Sequence, residues 1–154
     1  RGPLAASMAA GCADGLIGLS PDEEMLSSFT ARGGGDKPRL AQLQACVADD
    51  EEQARELAAR EWPNAGLQGK LPAELKTPEL VAAAVEPLSR DDKVGSTLCG
   101  RDAALHLKTI QQYVDAGYDH IWVNQIGDDQ EIFFDFYTSE VLPEARKLFL
   151  ARRS

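Results

Sequence analysis

Two amide side chains stand at the end of the last predicted strand, where parallel α/β proteins commonly place a binding site. Residues His120 to Asn124 form the predicted strand, in which Ile121 and Val123 point one way and the other three residues point the other way, and Gln125 follows directly. In parallel α/β folds, sites form at the carboxyl ends of the strands. An amide offers both a donor and an acceptor where a packed core would carry Val or Ile. Asn124 and Gln125 are therefore predicted at the rim of a substrate site, and a purely structural role as loop caps is the open alternative.

Other polar residues lie at or near predicted strand ends. Ser20 directly follows the apolar run Gly15–Leu19, while Gln42 and Gln44 share one face of the next predicted strand. We expect Ser20 at the same substrate rim and the two glutamines in a partly polar lumen near the site. The alternative for the glutamines is a sheet edge that faces water.

Histidine and cysteine spacing predicts no metal centre. His106 and His120 lack zinc-ligand spacing, and His106 is expected to be a surface or half-buried residue of a helix. The three cysteines, Cys12, Cys46 and Cys99, are far apart in the sequence. We interpret them as small buried thiols of a reduced, cytoplasmic protein.

The charge balance argues against two classes of partner. The chain carries 25 acidic and 16 basic residues, for a net charge of −9. Such a chain repels phosphate backbones and anionic lipid. No apolar run is long enough to span a bilayer, and the sequence does not open with a signal peptide. We therefore expect a small-molecule substrate, with neither nucleic acid nor membrane as a partner.

Alternating helices and strands must position these residues. The pattern predicts a helix over 3–13, a strand over 15–19 buried on both faces, a helix capped by Ser20, a strand over 39–47, a helix capped by Asp49, a strand over 97–99, a helix over 102–116, a strand over 120–124 and a helix over 128–150 bent at Pro143. One helix followed by four strand-plus-helix units indicates parallel strands. Four such units form either half of an eight-stranded barrel or a small open sheet, and periodicity leaves both open.

Six short motifs follow one another in a familiar order. They are Asp14-Gly15-Leu16-Ile17, Trp62-Pro63-Asn64-Ala65, Leu98-Cys99-Gly100, Asp115-Ala116-Gly117-Tyr118-Asp119-His120, Gly127-Asp128-Asp129-Gln130-Glu131 with Phe133-Phe134, and Glu140-Val141-Leu142-Pro143. In this order and with these gaps they resemble the second half of the luciferase-like family. Within it they resemble the deazaflavin-dependent oxidoreductases named after glucose-6-phosphate dehydrogenase. The resemblance covers nearly the whole chain.

The resemblance implies an α/β fold, namely the C-terminal half, strands five to eight, of a (β/α)₈ TIM barrel of the luciferase-like type. It implies a single domain over 1–154, with an irregular and helical insertion at about 63–95. The chain opens Arg1-Gly2-Pro3 without a methionine, so we expect a piece of a longer protein.

The cofactor implied by the resemblance is coenzyme F420, a deazaflavin that carries hydride, with FMN as the alternative. Gly2 and Pro3 match the family's backbone turn against the phosphate end of the cofactor. Glycine permits close backbone approach, and amides at a helix N-terminus attract an anion. Without the resemblance, Gly2-Pro3 is an ordinary helix start. The family's proton-transfer residues lie in the other half of the barrel, so the resemblance assigns no catalytic residue to this chain.

The sugar-phosphate enzymes of this family hold the substrate phosphate with several cations. Lys76 matches one of these positions and is expected at the substrate rim. Asp22 stands at the position of a second cation, and Val94-Gly95-Ser96 at that of a third. One cation of three makes a poor phosphate cage, so a sugar phosphate is not the expected substrate. Asn124 stands where relatives often carry histidine.

The implied function is that of an F420-dependent oxidoreductase, which moves hydride between an organic substrate and the cofactor in the full-length parent. This chain by itself is expected to be inactive. One alternative is an FMN-dependent luciferase-like monooxygenase, and another is an inactive half-barrel that acts only as an assembly or interaction unit. Because a half-barrel leaves two unpaired sheet edges, we expect a homodimer.

Overall fold

Helices and short strands alternate along the chain, as predicted. The computed structural model describes the backbone of residues 3–152 and the side chains of residues 4–151. The strands are β1 (Leu16–Gly18), β2 (Arg39–Cys46), β3 (Leu98–Cys99) and β4 (His120–Gln125). The helices are α1 (Pro3–Cys12), α2 (Glu23–Phe29), α3 (Glu51–Glu61), α4 (Leu71–Glu74), α5 (Pro78–Val85), α6 (Arg90–Val94), α7 (Ala103–Ala116), α8 (Gln130–Phe136) and α9 (Leu142–Arg152). Among the described helices none is long and apolar enough to cross a membrane.

Strand β2 is the partner of every other described strand. β1 runs parallel to its first half, with Leu16, Ile17 and Gly18 in register with Arg39, Leu40 and Ala41. β3 runs parallel to its end, where Ala45 and Cys46 pair with Leu98 and Cys99. β4 also pairs with β2. The predicted parallel arrangement of the first three strands is confirmed.

Two compact units make up the chain. The first contains the chain up to Leu43, Ala103–Asn124 and the chain from Thr138 onward, and the second contains Gln44–Asp102 and Gln125–Tyr137. Strands β2 and β4 therefore each have residues in both units. The predicted irregular and helical segment at 63–95 belongs to the second unit and contains a 3₁₀ turn (Pro63–Gly66) and three short helices, α4 to α6.

In the first unit, an ion pair joins the start of β2 to the residue before β4. The guanidinium of Arg39 donates from Nε to Oδ2 of Asp119 and from Nη2 to Oδ1, both at 2.9 Å. The backbone N of Arg39 also donates to Oδ2 at 3.0 Å, and the N of Asp119 donates to the Arg39 carbonyl at 2.8 Å. Because a two-pronged, half-buried pair of this kind fixes orientation as well as charge, it aligns the first residues of the two strands.

In the second unit, small side chains let α3 pack closely on the strand ends. The buried cluster consists of Cys46, Ala48, Ala54, Ala58, Val94 and Cys99, with Leu57, Ala59 and Ile126 packed against it. The face of β2 opposite Gln42 and Gln44 is buried: it carries Ala41, Leu43 and Ala45, and Val47 directly after the strand is buried as well. Gln42 and Gln44 on the other face are half-buried.

The two predicted helix caps at Ser20 and Asp49 were wrong. Asp22 caps α2 by accepting from the N of Met25, and Asp50 caps α3 by accepting from the N of Gln53. In both cases an aspartate directly precedes the first helical residue. Its negative carboxylate there also interacts favourably with the positive end of the helix dipole.

The expectation that β1 is buried on both faces was also wrong. Leu16 and Gly18 are buried, but Ile17 between them is 57% exposed. On β4, Trp122 is likewise 57% exposed, and His120 and Asn124 are exposed beside it. In the first unit, helices therefore cover one side of β1 and leave its other side open.

Two single-residue expectations failed for positional reasons. His106 is completely buried rather than near the surface, because it shares the inward face of α7 with Ile110, Tyr113 and Val114. Cys12 is exposed at the end of α1, where its Sγ donates to the Met8 carbonyl at 3.0 Å, while Cys46 and Cys99 are buried as predicted.

The predicted long C-terminal helix is interrupted where a bend was expected. A wider π-helical turn, Tyr137–Val141, separates α8 from α9, and Pro143 lies at the start of α9. Proline has no N–H to donate to the preceding turn, which accounts for the interruption at this point.

Gly18, on β1, has no room for a side chain. A Cβ at this position would lie 1.8 Å from Oη of the buried Tyr118, whereas a Cβ at Gly11 would meet nothing within 4 Å. We expect Gly18→Ala to lower the free energy of unfolding by about 1–3 kcal/mol, as overpacked cores do. The control, Gly11→Ala on the exposed part of α1, should raise it by about 0.5–1 kcal/mol. Urea unfolding checks both, and equal midpoints for Gly18→Ala and the unchanged chain would contradict the packing described.

Candidate functional site

The predicted site residues fall in both units. Ser20 and Asn124 belong to the first unit, and Lys76 and Gln125 belong to the second. Gly2 lies outside the described residues. Pro3 is the first residue of α1, and its side chain also lies outside them.

Two tyrosines hold the segment that carries Ser20. Oη of Tyr113, on α7, donates to the Leu19 carbonyl at 3.2 Å, and Oη of Tyr118, just before β4, donates to the Ser20 carbonyl at 2.9 Å. Burial raises the pKa of Tyr113 and raises the pKa of Tyr118 to about 12. Both hydroxyls therefore remain protonated donors at neutral pH. The Ser20 side chain itself is exposed, so its backbone is fixed while its hydroxyl faces solvent.

This tyrosine anchor was not predicted from the sequence. One indication was the position of Tyr118 directly after Gly117, which follows the last residue of α7 with a φ of 115°. A second indication was the glycine at position 18. Only a residue without a Cβ leaves room for the Tyr118 hydroxyl at that point of β1.

Asn124 lies on the exposed side of β4. It alternates with the half-buried Ile121 and Val123, as predicted, and shares its exposure with His120 and Trp122. A histidine, an indole and an amide therefore follow one another along one strand of the first unit. These groups can donate and accept hydrogen bonds and provide an aromatic face.

In the second unit, the side-chain amide of Gln125 forms hydrogen bonds with the backbone directly after β2, and we call this arrangement the Gln125 brace. Its Oε1 accepts from the N of Val47 at 2.9 Å, and its Nε2 donates to the Val47 carbonyl at 2.9 Å and to the Asp129 carbonyl at 3.3 Å. The amide thus pairs with the Val47 backbone as another strand would. These contacts support the structural alternative for Gln125, and its place at a substrate rim stays a prediction.

The loop after Gln125 is closely packed against this brace. A Cβ on Gly127 would lie 2.8 Å from Nε2 of Gln125 and 3.3 Å from the Val47 carbonyl. Nε2 of Gln130 donates to the Gly127 carbonyl at 3.0 Å, and Asp129 caps α8 by accepting from the N of Ile132. The loop is therefore held at both ends.

A cavity of about 230 Å³ lies beside this loop in the second unit. Its lining residues come from the end of β2, from α3 and from the start of α8: Val47, Ala48, Asp49, Gln53, Leu57, Asp128, Asp129 and Ile132. Three of them carry carboxylates and none is basic, so the cavity disfavours an anionic ligand.

The cations of a phosphate cage are not assembled by these residues. Lys76 is exposed between α4 and α5. Asp22 caps α2, Val94 is buried, and Gly95 adopts a positive φ of 55° as the C-cap of α6. The described residues also contain no group of three or more His, Cys, Asp or Glu side chains that could hold a metal ion.

Comparisons with known proteins place the chain beside F420-dependent enzymes. No protein-family model matches it. It is 26% identical over 96% of its length to an F420-dependent glucose-6-phosphate dehydrogenase of Microbacterium testaceum, of which it covers 47%. It is 28% identical over 94% of its length to an F420-dependent hydroxymycolic acid dehydrogenase of Mycobacterium tuberculosis, of which it covers 41%. The chain spans about half the length of these relatives.

Solved structures give the same fold. An F420-dependent secondary alcohol dehydrogenase in complex with an F420-acetone adduct superposes with a TM-score of 0.67 at 18% identity, over 96% of this chain and 46% of that one. The coenzyme F420-dependent tetrahydromethanopterin reductase of Methanopyrus kandleri superposes with a TM-score of 0.60 at 18% identity. This match covers 94% of the present chain and 49% of the reductase chain. The predicted resemblance to F420-dependent enzymes of the luciferase-like type and the predicted half-barrel fold class are confirmed.

The Gln125 brace can be tested by truncation. We expect Gln125→Ala to lower the free energy of unfolding by about 1–3 kcal/mol, because it leaves the Val47 N and O without their partner. Gln112, an exposed glutamine on α7, gives the matched control, and Gln112→Ala should change stability by less than about 0.5 kcal/mol. Urea unfolding with amide hydrogen exchange measures both. Unchanged protection of the Val47 amide in Gln125→Ala would rule the brace out.

Proposed function

We propose that this chain forms half of an F420-dependent oxidoreductase that transfers hydride between an organic substrate and the cofactor. The observation that carries the proposal is the agreement of two comparisons. Relatives matched along 94–96% of the chain and solved structures matched by fold are both named for their dependence on F420. The same agreement disfavours the FMN-dependent monooxygenase alternative.

The start of α1 suits the anionic end of the cofactor. α1 spans ten residues from Pro3 and has no acidic residue in its first turn. Its amide dipoles therefore present positive potential that no carboxylate of that turn cancels. Gly2 and Pro3 remain our proposed cofactor-binding residues. Bound there, F420 would supply the hydride-carrying ring, and the protein would contribute binding, orientation and electrostatics.

The polar groups of the first unit suit substrate positioning. The Ser20 hydroxyl faces solvent on a segment that Tyr113 and Tyr118 hold fixed. Asn124 offers donor and acceptor groups from β4. We propose that both residues contact the substrate and that Lys76 and Gln125 lie at the rim, where the Gln125 amide also holds the adjoining loop. No residue of this chain is proposed as an acid or base.

The charges favour an uncharged substrate over a sugar phosphate. Lys76 stands without the other two cations that the family's phosphate cage would require, and Asp22 replaces one of them. The cavity at the end of β2 adds three carboxylates and no basic group. An alcohol or carbonyl compound without a phosphate fits this balance better.

We further propose that the isolated chain is inactive and pairs with another polypeptide through its open strand edge. β1 lies at the end of the strand order and has one edge without a strand partner among the described residues. Unpaired edges promote association. A second copy would give a homodimer, and an inactive assembly unit is the alternative for the isolated chain. The free buried thiols Cys46 and Cys99 support a reducing, cytoplasmic location.

Sedimentation equilibrium tests the association. We expect the 154-residue chain to sediment as a dimer or higher species, and a proline in the middle of β1, Ile17→Pro, to weaken that association. A surface proline outside the sheet, Gln68→Pro, serves as the comparison. A stable monomer over the accessible concentration range would contradict the proposed edge pairing.

Cofactor choice is tested by titrating the chain, and its full-length parent, with F420 and with FMN. Leu4 and Met8 are 76% and 62% exposed on successive turns of α1. Leu4→Glu places a carboxylate in the first turn and should weaken F420 binding about fivefold, the equivalent of about 1 kcal/mol between nearby surface charges. Met8→Glu, one turn further on, should weaken it less.

Binding of FMN without binding of F420 would overturn the proposed cofactor. Equal weakening by Leu4→Glu and Met8→Glu would leave F420 as the ligand but reject the start of α1 as its anion site. In the parent, faster reduction of F420 with a simple secondary alcohol than with glucose-6-phosphate would support the uncharged substrate class, and the reverse order would contradict it.

A further inference from the structure

Two buried cysteines occupy facing positions on neighbouring strands of the second unit. Cys46 is the last residue of β2, Cys99 is the last residue of β3, and the two are register partners in the parallel pairing. Neighbouring strands lie about 4.8 Å apart, and side chains in register point to the same face. A disulfide needs Cα atoms about 4.4–6.8 Å apart. The register therefore places the two Cα atoms at a separation that a disulfide can span.

The surroundings of this pair are apolar. Both thiols belong to the cluster formed with Ala48, Ala54, Ala58 and Val94. Burial raises the pKa of Cys46 above its ordinary value and raises that of Cys99 to about 11. The thiols are therefore protonated at neutral pH. The described residues contain no further His, Cys, Asp or Glu side chain that would complete a metal site with these two thiols, whereas a disulfide needs no third group and is neutral and apolar.

We propose that Cys46 and Cys99 are a redox-active pair that a hydroperoxide or an azo-type oxidant converts reversibly into a disulfide. Each sulfur loses its proton, one S–S bond forms, and two electrons pass to the oxidant. With hydrogen peroxide, the O–O bond breaks and the two protons and two electrons yield two water molecules. A dithiol reductant returns both thiols by exchange.

The cross-link would act at the cavity edge. The carbonyl of Cys46 accepts from the N of Gly100 at 3.0 Å, and Nη2 of Arg101 donates to the Asp49 carbonyl at 3.0 Å. The segments after β2 and β3 are thus already joined by hydrogen bonds. A disulfide directly before them would fix Val47 to Asp49, which line the cavity. It would also restrict the unfolded chain and thereby raise stability.

The experiment uses the chain with its exposed third cysteine replaced, Cys12→Ser. This protein is incubated with hydrogen peroxide or diamide, then unfolded, alkylated and analysed by intact mass and peptide mapping. We expect both remaining thiols to be lost together, with a mass decrease of two hydrogens and one peptide linking Cys46 to Cys99. The melting temperature should rise by several degrees and return after dithiothreitol.

Matched single variants separate the pair from general oxidation. In the Cys12→Ser background, neither Cys46→Ala nor Cys99→Ala should show the reversible rise in melting temperature. Thiols that stay alkylatable after prolonged oxidation of the folded chain would overturn the proposal. So would oxidation of either cysteine alone to its sulfinic acid, or disulfides found only between chains. The readouts involve neither F420 nor activity, so this result is independent of the proposed function.

Discussion

The hydrogen bonding of a single strand, β2, is the constraint on which the rest of the fold depends. β1 and β3 pair with successive halves of β2, and β4 pairs with it as well. The apolar face of β2 carries mainly small residues, Ala41 and Ala45 among them, and is fully buried. Because the backbone groups of β2 form hydrogen bonds with these strands, its register with β1 and β3 determines which β2 residues lie beside the ends of those two strands.

Side chains form hydrogen bonds with backbone groups that lie beyond the ends of the short strands. β3 has only two residues, and the backbone of Val47 beyond β2 is paired instead by the amide of Gln125. In the first unit, the hydroxyls of Tyr113 and Tyr118 hold the carbonyls that follow β1. Fixed backbone at strand ends suits the proposed function, in which the cofactor carries the reactive chemistry and the protein mainly orients the reactants.

Electrostatics separates this chain from the sugar-phosphate enzymes it resembles. The relative from Microbacterium testaceum is named for glucose-6-phosphate, but here Asp22 is a helix cap and the cavity at the end of β2 is lined by carboxylates. A shared fold thus coexists with a different charge pattern, which is the basis of the proposed uncharged substrate, since a fold constrains function less than the groups at its site do.

The sequence by itself determined the order of the elements and which faces are apolar, because both depend on local periodicity. It could not determine pairings between distant residues. Asp22 and Asp50 replaced the predicted caps, since helix starts depend on which nearby carboxylate reaches the N3 amide. The burial of His106 depended on what covers α7. The Gln125 brace, the tyrosine anchors and the facing positions of Cys46 and Cys99 were decided only by tertiary structure, because each joins residues more than fifty positions apart through strand register.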